Sequence, residues 1–347
     1  MAAYREQVKI VVEKEVPITV AALNKTLIVT DDKDAEFKYY MNSEDVAKDF
    51  GNNSKVYKLV ETFLSQTDGS GNILKPDFFS IIGIKKPLDS TKIEDKLKET
   101  LNENLGKDWY AVLTTFDSAE TMKTLRPFLT ENRKIYIAET KAYPIADTAK
   151  SDRILPYWSP SMAETENREY KAAAYAGVVV TKGAGYRVSM IEVSGVTADT
   201  EFAKKPELTT NHITFTEKRT SEGYIVANGG VATSGTYLDE TTAIDCIIIN
   251  MQENIQKVLI KEGFRQDDRG YLLMDETLTK VMEEMGKNNL IAVLNGKYEY
   301  KVFPTTQTNT EREQRLFRPR VLFRLATWGY FIDLTLQVTN KNIGGNQ

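Results

Sequence analysis

Chemistry usually begins at histidine, cysteine and paired carboxylates, and this chain is sparing with them. His212 is the only histidine and Cys246 the only cysteine among 347 residues, so a zinc site of the usual kind is excluded. His212 remains as one candidate acid–base imidazole, although a structural role is the cheaper reading. Cys246 falls beside the apolar face of an amphipathic run and reads as a buried, inert thiol. The acidic groups at Asp31, Asp32 and Asp34, and at Asp267 and Asp268, lack the spacing and glycine of a calcium loop. Asp68 and Asn72 begin such a loop, but its twelfth position is Phe79, where a carboxylate is needed. Residues 228–235 form a Gly- and Ser-rich entry to a helix, with no Gly-Lys-Ser/Thr ending and no third glycine at dinucleotide spacing. Gly183 and Gly185 supply two glycines of three and follow no clear strand. The stretch REQRLFRPRVLFR at residues 312–324 is the densest positive region; it reads as strand, where alternating arginines pair with acidic surfaces more readily than with nucleic acid. The sequence therefore offers no catalytic, cofactor-binding or metal-ligating residues.

Composition narrows the classes further. The chain has 41% hydrophobic and 27% charged residues, the balance of a soluble globular protein with a sizeable core. A net charge of -4 argues against a nucleic-acid-binding surface over the whole molecule. Neither an apolar run of membrane length nor a secretory leader is readable, which gives an expectation of no membrane partner and of an initial cytoplasmic location.

The clearest element lies in residues 222–262. From Thr242 onward Ile244, Ile247, Ile248, Met251, Ile255, Val258 and Leu259 recur at helical spacing, with Asp245, Gln252, Glu253, Gln256 and Lys257 assigned to the opposite, solvent side. Asp239 to Thr242 offer N-caps, and Gly263 can end the helix in the left-handed conformation. Upstream, residues 26–140 alternate strand and helix. Strands are expected at 26–30, 78–84, 109–116 and 134–138, with helices opened by Ser43, Ser54, a Thr91/Glu94 capping box and Ser118. This pattern implies an α/β layer with a partly parallel sheet, whose ligand sites lie beyond the carboxyl ends of the strands. The loops there hold Asp31, Asp32, Lys85, Lys86 and Asp117.

Residues 141–168 contain Pro144, Pro156 and Pro160 without a sustained period and read as a connector. Beyond it come a helical or mixed segment at 170–180, short apolar pieces to 224, a helix at 275–285, and a hairpin at 290–303 turning on Asn295-Gly296. Residues 321–325 and 330–338 read as strands. Two terminal strands have no nearby partner: Val8, Ile10, Val12 and Val16 line one face at the start, and Ile332, Leu334, Leu336 and Val338 line one face at the end. The expected organisation is an N-terminal arm and linker (1–25), a peripheral α/β domain (26–140), a connector (141–168), a core domain of mixed sheet and helices ending in an arm strand (169–339), and a loose tail (340–347). The fold class is α/β and α+β.

Two blocks resemble a known family. GVTADTEFAKKPELTTNHITF followed by GYIVANGGVATSGTYLDETTAIDCIIINMQENIQKVL is similar to the central pattern of contractile phage tail sheath proteins, and SEDVAKDFGNNSKVYKLVETFLSQ resembles their early segment. The blocks cover about a third of the chain, and the motif is structural. The resemblance implies a non-enzymatic subunit without cofactors that polymerises as stacked hexameric rings around a tail tube and contracts to drive the tube through a host envelope. Extended arms would join neighbours, with the eight apolar residues of the terminal strands carrying the exchange. It also implies baseplate and tail terminator proteins as partners and a place in the virion tail after assembly in the host cytoplasm. A headless contractile particle, either a bacteriocin or a secretion system, fits equally; a ligand-binding α/β protein is the remaining alternative.

Overall fold

The computed structural model describes residues 23–68, 70–84, 92–116, 119–160, 168–199, 202–219 and 224–329. Its centre is a six-stranded sheet. β1 (Thr26–Thr30) is buried along its whole length, as expected for the middle of a parallel sheet. β2 (Ala35–Tyr40) runs antiparallel at one edge. α1 (Ser43–Phe50) and α2 (Lys55–Leu64) follow, then β3 (Phe79–Gly83), α3 (Ile93–Glu103), β4 (Ala111–Thr114), α4 (Ala119–Asn132), β5 (Ile135–Thr140) and β6 (Ile154–Trp158). The strand order is β2-β3-β1-β4-β5-β6, parallel except for β2.

Helices cover both faces. Leu97, Leu101, Met122, Leu125 and Leu129 of α3 and α4 pack on Leu27, Val29, Val112 and Tyr136. On the other face Val46, Val56, Leu59, Val60 and Phe63 of α1 and α2 meet Ile28, Phe79, Ile81 and Leu113, together with α5 (Lys171–Lys182). Gly177 of α5 makes this contact possible, since a Cβ there would lie 2.3 Å from the Phe63 carbonyl oxygen.

Residues 141–168, expected to be a connector, contain a strand of this sheet. Residues 154–158 form β6, which pairs in register with β5 and is buried throughout. Pro156 is tolerated because β6 is the last strand of its sheet, where a missing N–H breaks no central ladder. Its carbonyl accepts from the Thr214 amide at 2.9 Å, and Trp158 N–H donates to Thr214 O at 2.7 Å. These bonds join the large sheet to a three-stranded antiparallel one of β7 (Ile191–Glu192), β8 (Phe215–Arg219) and β9 (Tyr224–Asn228), with α6 (Lys205–Thr210) before β8. A single apolar core therefore runs from Ile28 through Tyr157 and α5 to Leu238.

The long helix α7 (Leu238–Lys261) begins earlier than its periodicity suggested. Its N-cap is Tyr237, without a side-chain cap bond. Asp239 and Glu240 sit instead in the first turn, where the helix dipole favours acids. Gly263 does take a left-handed conformation (φ 71°) past its end. Antiparallel to it lies α8 (Asp268–Lys287), followed by the hairpin of β10 (Val293–Leu294) and β11 (Lys297–Tyr298), β12 (Tyr300–Phe303), α9 (Asn309–Glu313) and β13 (Arg320–Phe323). Asn295 and Gly296 both have positive φ, as the turn requires. These elements build a second core around Ile247, Met251, Leu278, Met282 and Val321.

Several local readings need adjusting. Asn42, not Ser43, caps α1, accepting from Asp45 N–H, whereas Ser54 caps α2 as expected. α3 is entered at Lys92 with no side-chain cap bond, and Thr91 lies outside the described residues. A capping box that was not expected is present at α9, where Thr308 and Glu311 satisfy each other's backbone amides. The 312–324 stretch is only partly strand: it starts in α9 and passes a positive-φ turn at Arg315 before β13.

Candidate functional site

In an open α/β sheet the ligand crevice forms beyond the carboxyl ends of the strands where the order reverses, here around β1 and β4. Among the described residues, the polar groups at that place are engaged by the chain itself. Asp32 accepts from the Val56 and Lys55 amides at the start of α2, and Asp31 pairs with Lys55 Nζ at 2.8 Å and accepts from Thr115 Oγ1. Next to them Arg168 donates to Thr115 O at 2.7 Å and to Glu139 Oε2 at 2.9 Å, while Glu139 Oε1 accepts from Ala172 N–H. Burial pushes the Glu139 carboxyl up against the opposing pull of Arg168. Lys171 and Asp199 form a further buried pair at 2.6 Å, and burial likewise raises Asp199. Charged groups engaged in this way hold α5 against the sheet. Lys85, Lys86 and Asp117 lie outside the described residues.

The other chemical candidates are also engaged structurally. His212 takes a left-handed φ of 59° at the turn before β8, its ring against Gly235. Burial raises the Cys246 thiol to about 11, well away from a reactive thiolate. Asp68 accepts from the Ser70 and Asn72 amides at 2.9 and 3.0 Å, closing a turn. In the glycine-rich loop, the Gly230 amide donates to Thr214 Oγ1 and its carbonyl accepts from Leu238 N–H. A Cβ at Gly230 would fall 2.2 Å from Val188 O, so glycine is required by close approach, with φ 72°. Among the described residues no cluster of three His, Cys, Asp or Glu is placed to hold a metal, and no helix is long and apolar enough to cross a membrane.

The residue that sequence reasoning misplaced is Asp245. Assigned to the solvent side of α7, it is fully buried. Arg153 grips it through two bonds, Nη1 at 2.6 Å and Nη2 at 2.9 Å, and Tyr110 OH donates at 2.8 Å. Arg133 stands 3.9 Å away. Burial, followed by the Asp245 charge, keeps Tyr110 well above the usual phenol range. Burial works against the Arg153 charge, but bonding and attraction to Asp245 outweigh it and raise the guanidinium. Tyr110 and Arg153 immediately precede β4 and β6, and Arg133 lies two residues before β5, so the amino ends of three neighbouring strands converge on one carboxylate.

One sheet with open edges among the described residues lies in the second core. β12 and β13 form a two-stranded sheet whose outer edges carry no ladder partner among the described residues. Val321 and, more partially, Tyr300, Val302 and Phe323 pack inward. Outward, Phe303 is flanked by Lys301 at 4.7 Å and Arg320 at 3.9 Å from its ring centre. A two-stranded sheet is marginal by itself and gains from further strands. The eight residues expected to exchange between subunits, Val8, Ile10, Val12, Val16, Ile332, Leu334, Leu336 and Val338, all lie outside the described residues.

No protein-family profile matches the sequence, and no curated protein matches it significantly. Solved structures do. A chain of the anti-feeding prophage helical sheath in its contracted state superposes with a TM-score of 0.70 at 13% identity, over 94% of this chain and 98% of that one. The fold is that of contractile tail sheath proteins. A chain of the six-fold symmetrised anti-feeding prophage baseplate gives 0.69 at 12% identity, covering 92% of this chain and 94% of that one. The sheath tail protein of Desulfitobacterium hafniense gives 0.55 at 9% identity, covering 85% and 93%. The sheath fold thus accounts for both α/β and α+β parts of the architecture.

Proposed function

We propose that this chain is the structural subunit of a contractile tail sheath. It polymerises as stacked hexameric rings around a tail tube and shortens to drive that tube through a host envelope, without hydrolysing anything. The observation that carries this reading is the two-way coverage of the match to a contracted helical sheath, 94% of this chain and 98% of the other. The polar groups at the crevice of the α/β sheet, engaged by the chain itself, support a structural role over a ligand-binding one. A headless particle is a second reading, favoured by a match to the sheath of an extracellular contractile injection system, with a TM-score of 0.62 at 11% identity. The two differ in what lies at the tube's ends. Under either, the partners are the chain itself, the tube protein, a baseplate and a terminator, with assembly in the producing cell's cytoplasm.

The open-edged sheet of β12 and β13 is where the exchanged strands of neighbours add, through Val8, Ile10, Val12 and Val16 at one terminus and Ile332, Leu334, Leu336 and Val338 at the other. Main-chain bonds supply affinity and alternating side chains supply register. A nine-residue arm extends about 30 Å at about 3.3 Å per residue, enough to reach an adjacent molecule. Residues 26–140 then lie on the periphery of the wall, and residues 165–339 with the N-terminal arm build its inner side. Deleting residues 1–20 tests the exchange: the expected product is a folded monomer that forms no long tubes, and tubes of normal length would overturn it.

A further inference from the structure

Among the described residues, the second core meets the rest of the subunit along the first turns of α7 and at Gly185. Its apolar cluster is separate from the two that flank the large sheet, and α7 runs from one region into the other. The first turn of α7 belongs to the sheet side, where Leu238 is buried in the first core and Thr241 Oγ1 donates to Asp152 O at 3.0 Å. Its remainder carries Ile247 and Met251 into the second core. On one side of the crossing, Gly185 holds Thr242 Oγ1 through its amide and the Trp328 indole N–H through its carbonyl, at 3.1 and 2.9 Å. On the other stands Asp245, gripped by Arg153 and Tyr110 with Arg133 nearby.

We propose that Asp245 is a positioning residue that fixes the angle between the α/β body and the C-terminal unit, making α7 a stiff lever. A bidentate guanidinium–carboxylate pair defines orientation as well as distance, because two parallel bonds resist rotation that a single contact permits. Apolar contacts, being non-directional, do not substitute for that. The placement suits the task. The two donors and Arg133 sit at or just before the amino ends of adjacent parallel strands, and the acceptor sits near the start of a 24-residue helix. From Asp245 to Lys261 the lever runs about 24 Å at about 1.5 Å per residue, so a swing of about 10° displaces its far end by about 4 Å. This joint operates in the isolated subunit and holds whether or not the chain forms a sheath. Within a sheath it would transmit movement of the body to the strands that join neighbours.

The test is pulsed electron–electron distance measurement on the full chain, with spin labels at Lys123 of α4 and Ile260 near the far end of α7, both exposed, in a Cys246→Ser background. The unaltered joint gives one narrow distance peak. Asp245→Asn, which keeps the shape and removes the charge, broadens or shifts that peak by about 4 Å, the lever displacement above. Should Asp245→Asn fail to fold, the double change Asp245→Leu with Arg153→Leu removes both charges together and leaves no buried ion unpaired. A folded variant of either kind whose peak keeps its position and width overturns the proposal, because a merely stabilising pair would change the melting temperature and leave the distance alone.

Discussion

Lys134 offers a perturbation whose sign and size follow from its surroundings. The residue is 6% exposed, its ammonium lies 4.4 Å from the Trp109 ring centre, and it donates to the Trp109 carbonyl. Burial, partly opposed by the charges of Asp108 and Asp245, pulls its pKa from 10.5 down to about 8. The unfolded chain therefore holds this proton more tightly than the folded one between those two values, and stability rises with pH across the window. A gap of about 2.5 units is worth about 3.5 kcal/mol at about 1.4 kcal/mol per unit. Lys134→Met removes the buried charge and, near neutral pH, recovers that amount less about 1 kcal/mol for the lost hydrogen bond, a net stabilisation of about 2.5 kcal/mol. Urea unfolding of both proteins from about pH 7 to about pH 10 reads the difference directly. The variant's advantage should shrink as Lys134 loses its proton in the folded wild type, and it reverses once the charge penalty is gone. Parallel stability curves for the two proteins across the window would refute the assignment of a charged, desolvated lysine at this place.

Other expectations are simpler to state. Gly177→Ala forces α5 away from α2, because the new methyl would meet Phe63 O at 2.3 Å and Gln66 Cγ at 2.7 Å; calorimetry should show a loss of about 1 to 3 kcal/mol or more. Asp32→Ala strips two acceptors from the α2 amides of Lys55 and Val56 and should cost about 1 kcal/mol in denaturant titration. On the proposed function, a disulfide locking a position near Val12 to one near Leu334 of a neighbour leaves contraction intact with no nucleotide present. Contraction that needed ATP, or that stopped until the disulfide was reduced, would contradict the idea that joined arms stay together while rigid bodies slide.

The legible parts of the fold were those whose information is local. β1 matched its apolar run, α2 its serine cap, and the β10–β11 hairpin its Asn-Gly turn, since each depends on neighbours in sequence. β2 was missed because it is an edge strand with Glu36 and Lys38 exposed and a register shift between Ala35 and Lys38, which hides its alternation. β6 was hidden by Pro156, which argues against a central strand but is harmless at an edge. Asp245 was misplaced for a deeper reason. A helical wheel sends a carboxylate to solvent unless a partner compensates its burial, and its partners Tyr110 and Arg153 lie 135 and 92 residues away in sequence. A usable signal did exist: Lys25, Tyr110, Lys134 and Arg153 each stand immediately before a parallel strand. That regularity marks the amino edge of the sheet as a polar rim needing an acidic partner. The capping box at Thr308 was equally readable from its spacing to Glu311, yet it sits in a stretch whose arginines drew attention to strand pairing instead.

Electron cryomicroscopy of the purified full chain tests the central claim most directly. The sheath reading predicts hollow helical tubes built from stacked six-membered rings, with residues 165–339 toward the lumen and residues 26–140 outside. A chain that remains monomeric at every concentration, or that assembles into closed particles with no helical continuation, would contradict it.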